Sequence, residues 1–388
     1  MNVPQSMYKL KGVVQHYSWG GREFIPQLLG IENSSQQPFA EYWLGAHPNH
    51  PSIIICDGEE KTLNEFIAEQ QIPQLPYLLK VLDVRQMLSI QVHPDKTSAQ
   101  KGFNKENKRG IAVNAPHRNY KDENHKPELM VALSDFWLLH GFKSADDLNK
   151  VLGEVEELGY LKKVFEGGNF KALYEHVMTM PQHKVNETFQ PLINKIVPHY
   201  LGGALQKSHP HFWAARAYET FCKGKDIDRG LFSIYFFNLL HLKKGEGIYQ
   251  PAGLPHAYLE GQNIEIMANS DNVLRAGLTD KHIDIAELMK HVRFEPTHPQ
   301  ILYRVGDHRS FTPPVKEFEL HEHHLLSKRQ IQTSVNEIWL LLRGSIYAND
   351  QQLSKGEAVY VSASTTVIIE VLEHAILFRA VVPAGGKN

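Results

Sequence analysis

Leu242-Lys243-Lys244-Gly245-Glu246-Gly247-Ile248-Tyr249-Gln250-Pro251-Ala252 is the stretch on which the fold reading turns. It aligns without gaps on Leu353-Ser354-Lys355-Gly356-Glu357-Ala358-Val359-Tyr360-Val361-Ser362-Ala363, with six identities in eleven positions. A Lys-Gly-Glu turn set between apolar segments and met twice predicts a duplicated β-barrel of the jelly-roll or cupin type. Without gaps, Val367 falls where His256 stands. The second copy is therefore expected to lack metal ligands and to be structural.

Upstream, Leu88-Ser89-Ile90-Gln91-Val92-His93-Pro94 alternates apolar and polar residues up to Val92, as a half-buried strand does. Gln91 and His93 are two apart and share a face, and Pro94 ends the strand. Residues 77–82 read as a buried strand with one lysine. Pro127 opens another apolar run with Glu128 at its first inward position. Thr62 with Glu65 resembles a capping box, and a helix is predicted over residues 97–107. The largely apolar run from Leu231 to Leu240 reads as a strand.

Between residues 144 and 221 the period changes from two to near 3.6. Leu148, Val151, Leu152 and Val155 mark one helical face, and Phe170, Leu173, Tyr174 and Val177 a second. Phe189, Leu192, Ile193 and Ile196 mark a third, and Trp213, Ala217, Tyr218 and Phe221 a looser fourth. The expected architecture is mainly β with an inserted helical domain. Residues 1–143 and 222–295 form a catalytic cupin domain, 144–221 the helical insert, and 296–388 a C-terminal jelly-roll or cupin-like domain.

The chain has 388 residues, 41 Lys plus Arg against 43 Asp plus Glu, and a formal net charge of -2. That balance gives no support to nucleic-acid or anionic-membrane binding. Cys56 and Cys222 are the only cysteines, too few for a disulfide framework or a cysteine-rich zinc site. No apolar run approaches the ~18 residues of a membrane span, and the first ten residues lack a signal pattern. A cytoplasmic monomer is expected. No phosphate-binding loop, dinucleotide fingerprint or nucleophile elbow is present.

Gln91, His93, Glu128 and His256 are the proposed ligands of one metal ion. Two imidazoles, a carboxylate and an amide oxygen suit zinc, iron or manganese. Taken singly, each also has an ordinary structural reading as a hydrogen-bonded rim residue, an ion-paired carboxylate or a loop histidine. The stretch from Glu265 to Lys281 holds a second cluster, with a Ser270-Asp271-Asn272 turn and Arg275 between Leu274 and Ala276. Arg275 either pairs with Asp271 or Glu265, or stands beside the metal as a fixed cation for phosphate or a developing oxyanion.

At these residues the sequence resembles the type I mannose-6-phosphate isomerases (phosphomannose isomerases). The resemblance is carried by Gln91-Val92-His93-Pro94-Asp95-Lys96, Asn119-Tyr120-Lys121-Asp122, His125-Lys126-Pro127-Glu128 and His256-Ala257-Tyr258-Leu259. It is longest from Glu265-Ile266-Met267-Ala268 through Ser270-Asp271-Asn272-Val273 to Arg275-Ala276-Gly277-Leu278-Thr279 and Lys281. Tyr42-Trp43-Leu44-Gly45-Ala46-His47-Pro48 is also similar, whereas Phe136-Trp137-Leu138-Leu139-His140-Gly141-Phe142 departs from the pattern.

The resemblance implies a zinc enzyme, with one ion per chain held by Gln91, His93, Glu128 and His256. It implies the interconversion of D-mannose 6-phosphate and D-fructose 6-phosphate through an enediolate, with Arg275 catalytic. Glu265, Asp271, Lys126 and His125 are candidate proton-transfer groups, and Ser89, Lys126 and Lys281 candidate substrate contacts. Two other classes compete: an Fe(II)-dependent cupin oxygenase and a non-catalytic sugar-binding cupin.

Overall fold

Period-two alternation builds two ten-stranded antiparallel sheets in the computed structural model, which describes residues 6–56, 58–222, 224–303 and 306–383. The first sheet runs His308–Phe311, Glu319–Leu325, Thr366–Val381, Glu337–Ala348, Ala358–Val361, Met7–Lys11, Ile53–Cys56 and Glu59–Thr62, with Arg329–Gln332 and Gln351–Ser354 attached beside this path. The second runs Phe237–Leu242, Phe136–Phe142, His256–Ala268, Tyr77–Val84, Glu41–Gly45 and Val13–Gln15. Gly247–Gln250, Glu128–Ala132, Gln91–Val92 and Leu274–Arg275 join it off the main path.

Neither path returns to its first strand, so neither sheet closes into a barrel. The expected duplicated cupin or jelly-roll barrels are not formed, and the fold is mixed α/β rather than mainly β. The sequence repeat is real but local: it encodes a turn. In the first copy, Lys243 N donates to Glu246 Oε2 at 2.7 Å and Glu246 N to Lys243 O at 2.9 Å. In the second, Ser354 N donates to Glu357 Oε2 at 2.7 Å and Glu357 N to Ser354 O at 3.0 Å. Gly245 and Gly356 take φ of 87° and 85°, a region glycine enters without steric cost.

The chain around the two turns pairs differently. Phe237–Leu242 pairs with Phe136–Phe142, and Gly247–Gln250 with Glu128–Ala132. Gln351–Ser354 pairs with Glu337–Ala348, whereas Ala358–Val361 pairs with both Glu337–Ala348 and Met7–Lys11. Val367, aligned with His256, is fully buried in an apolar cluster of the first sheet.

The sheets pack face to face. Leu10, Ile54, Ile338, Leu340 and Phe378 of one meet Leu44, Leu79, Val81, Leu129 and Ile266 of the other in one buried cluster. Burial of each such side chain contributes roughly 1.5–3 kcal/mol. The stretch of 3.6 periodicity forms helices Ala145–Glu154, Phe170–Met178, Gln182–Leu201 and Pro210–Ala217. Their apolar faces share a core with Ile90, Val92, Leu139 and Leu274.

Thr62 and Glu65 make the reciprocal capping box expected from the sequence. The helix expected over residues 97–107 spans Lys96–Lys108, and the structure adds an Asp95 cap at its start. The run from Leu231 to Leu240 is different. Gly230–Phe236 is a helix and Phe237–Leu242 a strand. Every residue of that helix is buried, and an all-round apolar run carries no period by which helix and strand differ.

Candidate metal centre

The face of the second sheet turned away from the inter-sheet core carries the polar residues. Alternation sends Leu79 and Val81, Leu129 and Val131, and Ile264 and Ile266 into that core. Lys80, Glu128 and Glu265, one residue out of step with them, face the other side. Register then aligns rows across strands. Lys80 lies opposite both Trp43 and Glu265. Gln91 lies opposite both His256 and Arg275, and His256 also opposite His140.

His93, Glu128 and His256 converge. Each offers a ligand atom within 4.8 Å of the other two, and all three are buried. Glu128 Oε1 is 3.4 Å from His93 Nε2, and Glu128 Oε2 is 3.2 Å from His256 Nε2. His93 Nδ1 donates to the Asn272 carbonyl at 2.7 Å and His256 Nδ1 to the Leu254 carbonyl at 3.0 Å. A carbonyl only accepts, so both protons sit on Nδ1 and both Nε2 lone pairs face the cluster. His93 Nε2 is wholly buried without a hydrogen-bond partner. An orphaned buried lone pair beside a carboxylate and a second imidazole is the donor set a divalent ion requires. The residues therefore fit a metal ion.

The electrostatics agree. Burial pushes the His93 imidazole down to about 4, keeping it neutral. Burial works against the Glu128 charge, but Lys126, with Nζ 3.0 Å from Oε1, and the two histidines hold its carboxyl well below the usual range.

Gln91 lines the same cavity as Glu128 and His256, together with Lys80, Glu41 and Glu265. Glu265 is buried and held between two partners: Tyr258 donates to its Oε1 at 2.7 Å, and Lys80 Nζ is 3.7 Å from its Oε2. Burial, reinforced by the Glu128 charge, raises its carboxyl above the ordinary range. Burial opposes the Lys80 charge, yet Glu41 at 3.4 Å and Glu265 keep that ammonium above a free lysine. Lys80 also lies 4.7 Å over the Trp43 ring, and Trp43 Nε1 donates to Glu41. Lys80, Glu41 and Trp43 were not singled out by the sequence reading. The available signal was the lone lysine in an otherwise apolar strand.

The other candidates from the sequence differ in burial and in partners. Asp271 is exposed and faces His47 at 3.3 Å. His125 Nε2 faces Glu317 at 2.8 Å. Ser89 is half-buried and Lys281 exposed. Arg275 is half-buried, and the alternative ion pair with Asp271 or Glu265 is not formed; among the described residues no carboxylate lies within ion-pair distance of it. The Ser270-Asp271-Asn272 turn has a second use. Asn272, tied by its amide to the Asp122 and Asn124 carbonyls, presents the oxygen that orients His93.

Residues 7–145 match the family model described as phosphomannose isomerase type I, catalytic domain. The chain is 35% identical over 387 residues to mannose-6-phosphate isomerase of Salmonella typhimurium, covering 93% of this chain and 96% of that one. It is 34% identical over 392 residues to the Escherichia coli K12 protein of the same name, with the same coverage. The human mannose-6-phosphate isomerase is 28% identical over 434 residues, covering 96% and 98%. Among solved structures, the Salmonella typhimurium mannose 6-phosphate isomerase bound to substrate (f6p) and zinc superposes with a TM-score of 0.86 at 33% identity, covering 98% of this chain and 100% of that one. With the fold, the converging ligands and this likeness over nearly the whole length in hand, the chain belongs to the type I phosphomannose isomerase family.

Proposed function

We infer that this protein is a zinc-dependent aldose–ketose isomerase that interconverts D-mannose 6-phosphate and D-fructose 6-phosphate through an enediolate. The observation that carries this is the buried His93–Glu128–His256 cluster with its orphaned Nε2. We assign these three, with Gln91 from the adjoining strand, to the zinc ion. When bound, zinc supplies Lewis-acid stabilisation of negative charge on the sugar oxygens, worth several kcal/mol.

The chain's own residues would do the rest. Isomerisation moves a proton between C2 and C1 and another between the adjoining oxygens. We assign the carbon proton to Glu265, whose raised pKa lets it both take and return a proton near neutrality. Tyr258 and Lys80 fix one oxygen each. Asp271, Lys126 and His125 are engaged with His47, Glu128 and Glu317 instead. Arg275, free of a carboxylate, would add a fixed positive charge to the enediolate. Ser89, Lys126 and Lys281 are proposed substrate contacts.

Among the described residues no helix is long and apolar enough to cross a membrane. A cytoplasmic location remains a proposal, supported by a chain with only two cysteines, and a monomeric state remains a proposal too. The division at residues 143/144, 221/222 and 295/296 is likewise proposed, and limited proteolysis would map it. A coupled assay for fructose 6-phosphate, run before and after chelation and zinc return, tests the function. Turnover indifferent to chelation, or none after zinc return, would overturn it.

A further inference from the structure

The first sheet carries another group of imidazoles. Strands His308–Phe311 and Glu319–Leu325 pair with His308 opposite His323 and Ser310 opposite His321. Directly opposed residues, and residues two apart, share a face. Three histidines and one hydroxyl therefore stand together near the edge of the sheet. One ring nitrogen from each histidine lies within 4.8 Å of the other two. His308 Nε2 is 3.3 Å from His321 Nδ1, and Ser310 Oγ is 3.0 Å from that same nitrogen. His308 is exposed, His321 half-buried and His323 buried, so the group opens to solvent at one end.

We propose that His308, His321 and His323 form a second metal site, separate from the catalytic centre, for a borderline divalent transition ion such as Zn²⁺, Ni²⁺ or Cu²⁺. Imidazole donors select these ions over Mg²⁺ and Ca²⁺, which prefer oxygen. A carboxylate stands behind one ligand: Glu319 Oε2 is 3.3 Å from His321 Nε2. That contact places the ring proton on Nε2 and turns the Nδ1 lone pair toward His308 and Ser310, whose hydrogen bond to it a bound ion would replace.

Two guanidinium groups border the site. Arg379 Nη1 is 3.3 Å from His323, but its charge is matched by a two-point pair with Glu337 at 2.7 and 2.8 Å. Arg329 Nη1 is 3.4 Å from His323 Nδ1, and its side chain is exposed and able to swing into solvent. The His308 and His323 rings stack at 4.2 Å with 12° between planes. Chelation therefore requires one ring to turn about χ2, and exposed His308 is the one with room.

The test titrates the zinc-loaded, full-length enzyme with Ni²⁺ in equilibrium dialysis and with Cu²⁺ by electron paramagnetic resonance. One further ion per chain is expected, with imidazole-nitrogen hyperfine structure for Cu²⁺. His308→Ala should weaken the added Ni²⁺ at least about tenfold while isomerase activity stays unchanged. His321→Ala should act in the same direction. Both avoid His323, whose replacement would open a hole in the buried layer. Binding of no ion beyond the catalytic zinc, or equal Ni²⁺ affinity in wild type and both variants, would overturn the proposal.

Discussion

Gln91 and His256 stand directly opposite each other across two antiparallel strands, with Arg275 opposite Gln91 on the far side. An amide, an imidazole and a guanidinium from three separate strands thus share one row. Opposed residues in a ladder sit about 4.5–5.5 Å apart at Cβ, so backbone hydrogen bonding alone brings the cation and the ligand strand together.

Arg275→Ala is expected to retain zinc and lose about 100-fold or more in kcat, the range for removing one fixed charge from a developing oxyanion. Metal analysis beside the coupled assay checks both halves. Near-normal turnover would remove Arg275 from the mechanism.

Gln91→Leu tests the fourth ligand. Zinc retention against a competing chelator should fall about 10- to 100-fold, while the fold persists because Gln91 is only half-buried. Unchanged retention would leave His93, Glu128 and His256 as the protein's only ligands.

Glu265→Gln should keep zinc and lose about 100- to 10,000-fold in kcat, as expected for a positioned proton-transfer group. Lys80→Met should act on stability too. It would leave Glu41 and Glu265 buried without their shared cation, and breaking such a pairing costs about 3–5 kcal/mol. Urea denaturation of both variants separates a chemical role from a structural one.

The two turn glycines share a conformation but not their surroundings. An added Cβ at Gly245 meets nothing within 4 Å, whereas at Gly356 it would lie 2.0 Å from the Leu28 carbonyl oxygen. Gly245→Ala should cost about 1–2 kcal/mol of backbone strain, and Gly356→Ala distinctly more. Equal urea midpoints would show that the Leu28 carbonyl yields without cost at Gly356.

Acid should destabilise the helical region through His211. Burial, with His209 beside it, pushes this imidazole down to about 4 from an ordinary 6.5. The folded state then binds fewer protons than the unfolded chain between those values. The contribution is complete above pH 6.5 and is lost as the pH falls toward 4. His211→Gln should flatten the dependence of the urea midpoint over that window, and an unchanged slope would remove His211 as its cause.

Much of the centre was legible because ligand chemistry and strand period are local properties. His93, Glu128 and His256 were named from residue type and from Pro and turn signals, and they converge. The helices of the middle region were legible from their 3.6 period, and the cap at Thr62 from side chains that satisfy the first N–H groups. Barrel closure was not local. The Lys-Gly-Glu repeat determined two like turns, but which strands flank a turn depends on partners far along the chain, and those partners differ. The helix Gly230–Phe236 was likewise settled by burial on all sides, which erases the period. Lys80 gained its role only when the register set it between Trp43 and Glu265. By itself, then, the sequence determined donor identity, turn chemistry and helix periodicity, because each is fixed by neighbours in the chain. Sheet pairing, open topology and the buried carboxylate–lysine network were decided by tertiary structure, because they depend on contacts between residues the chain keeps far apart.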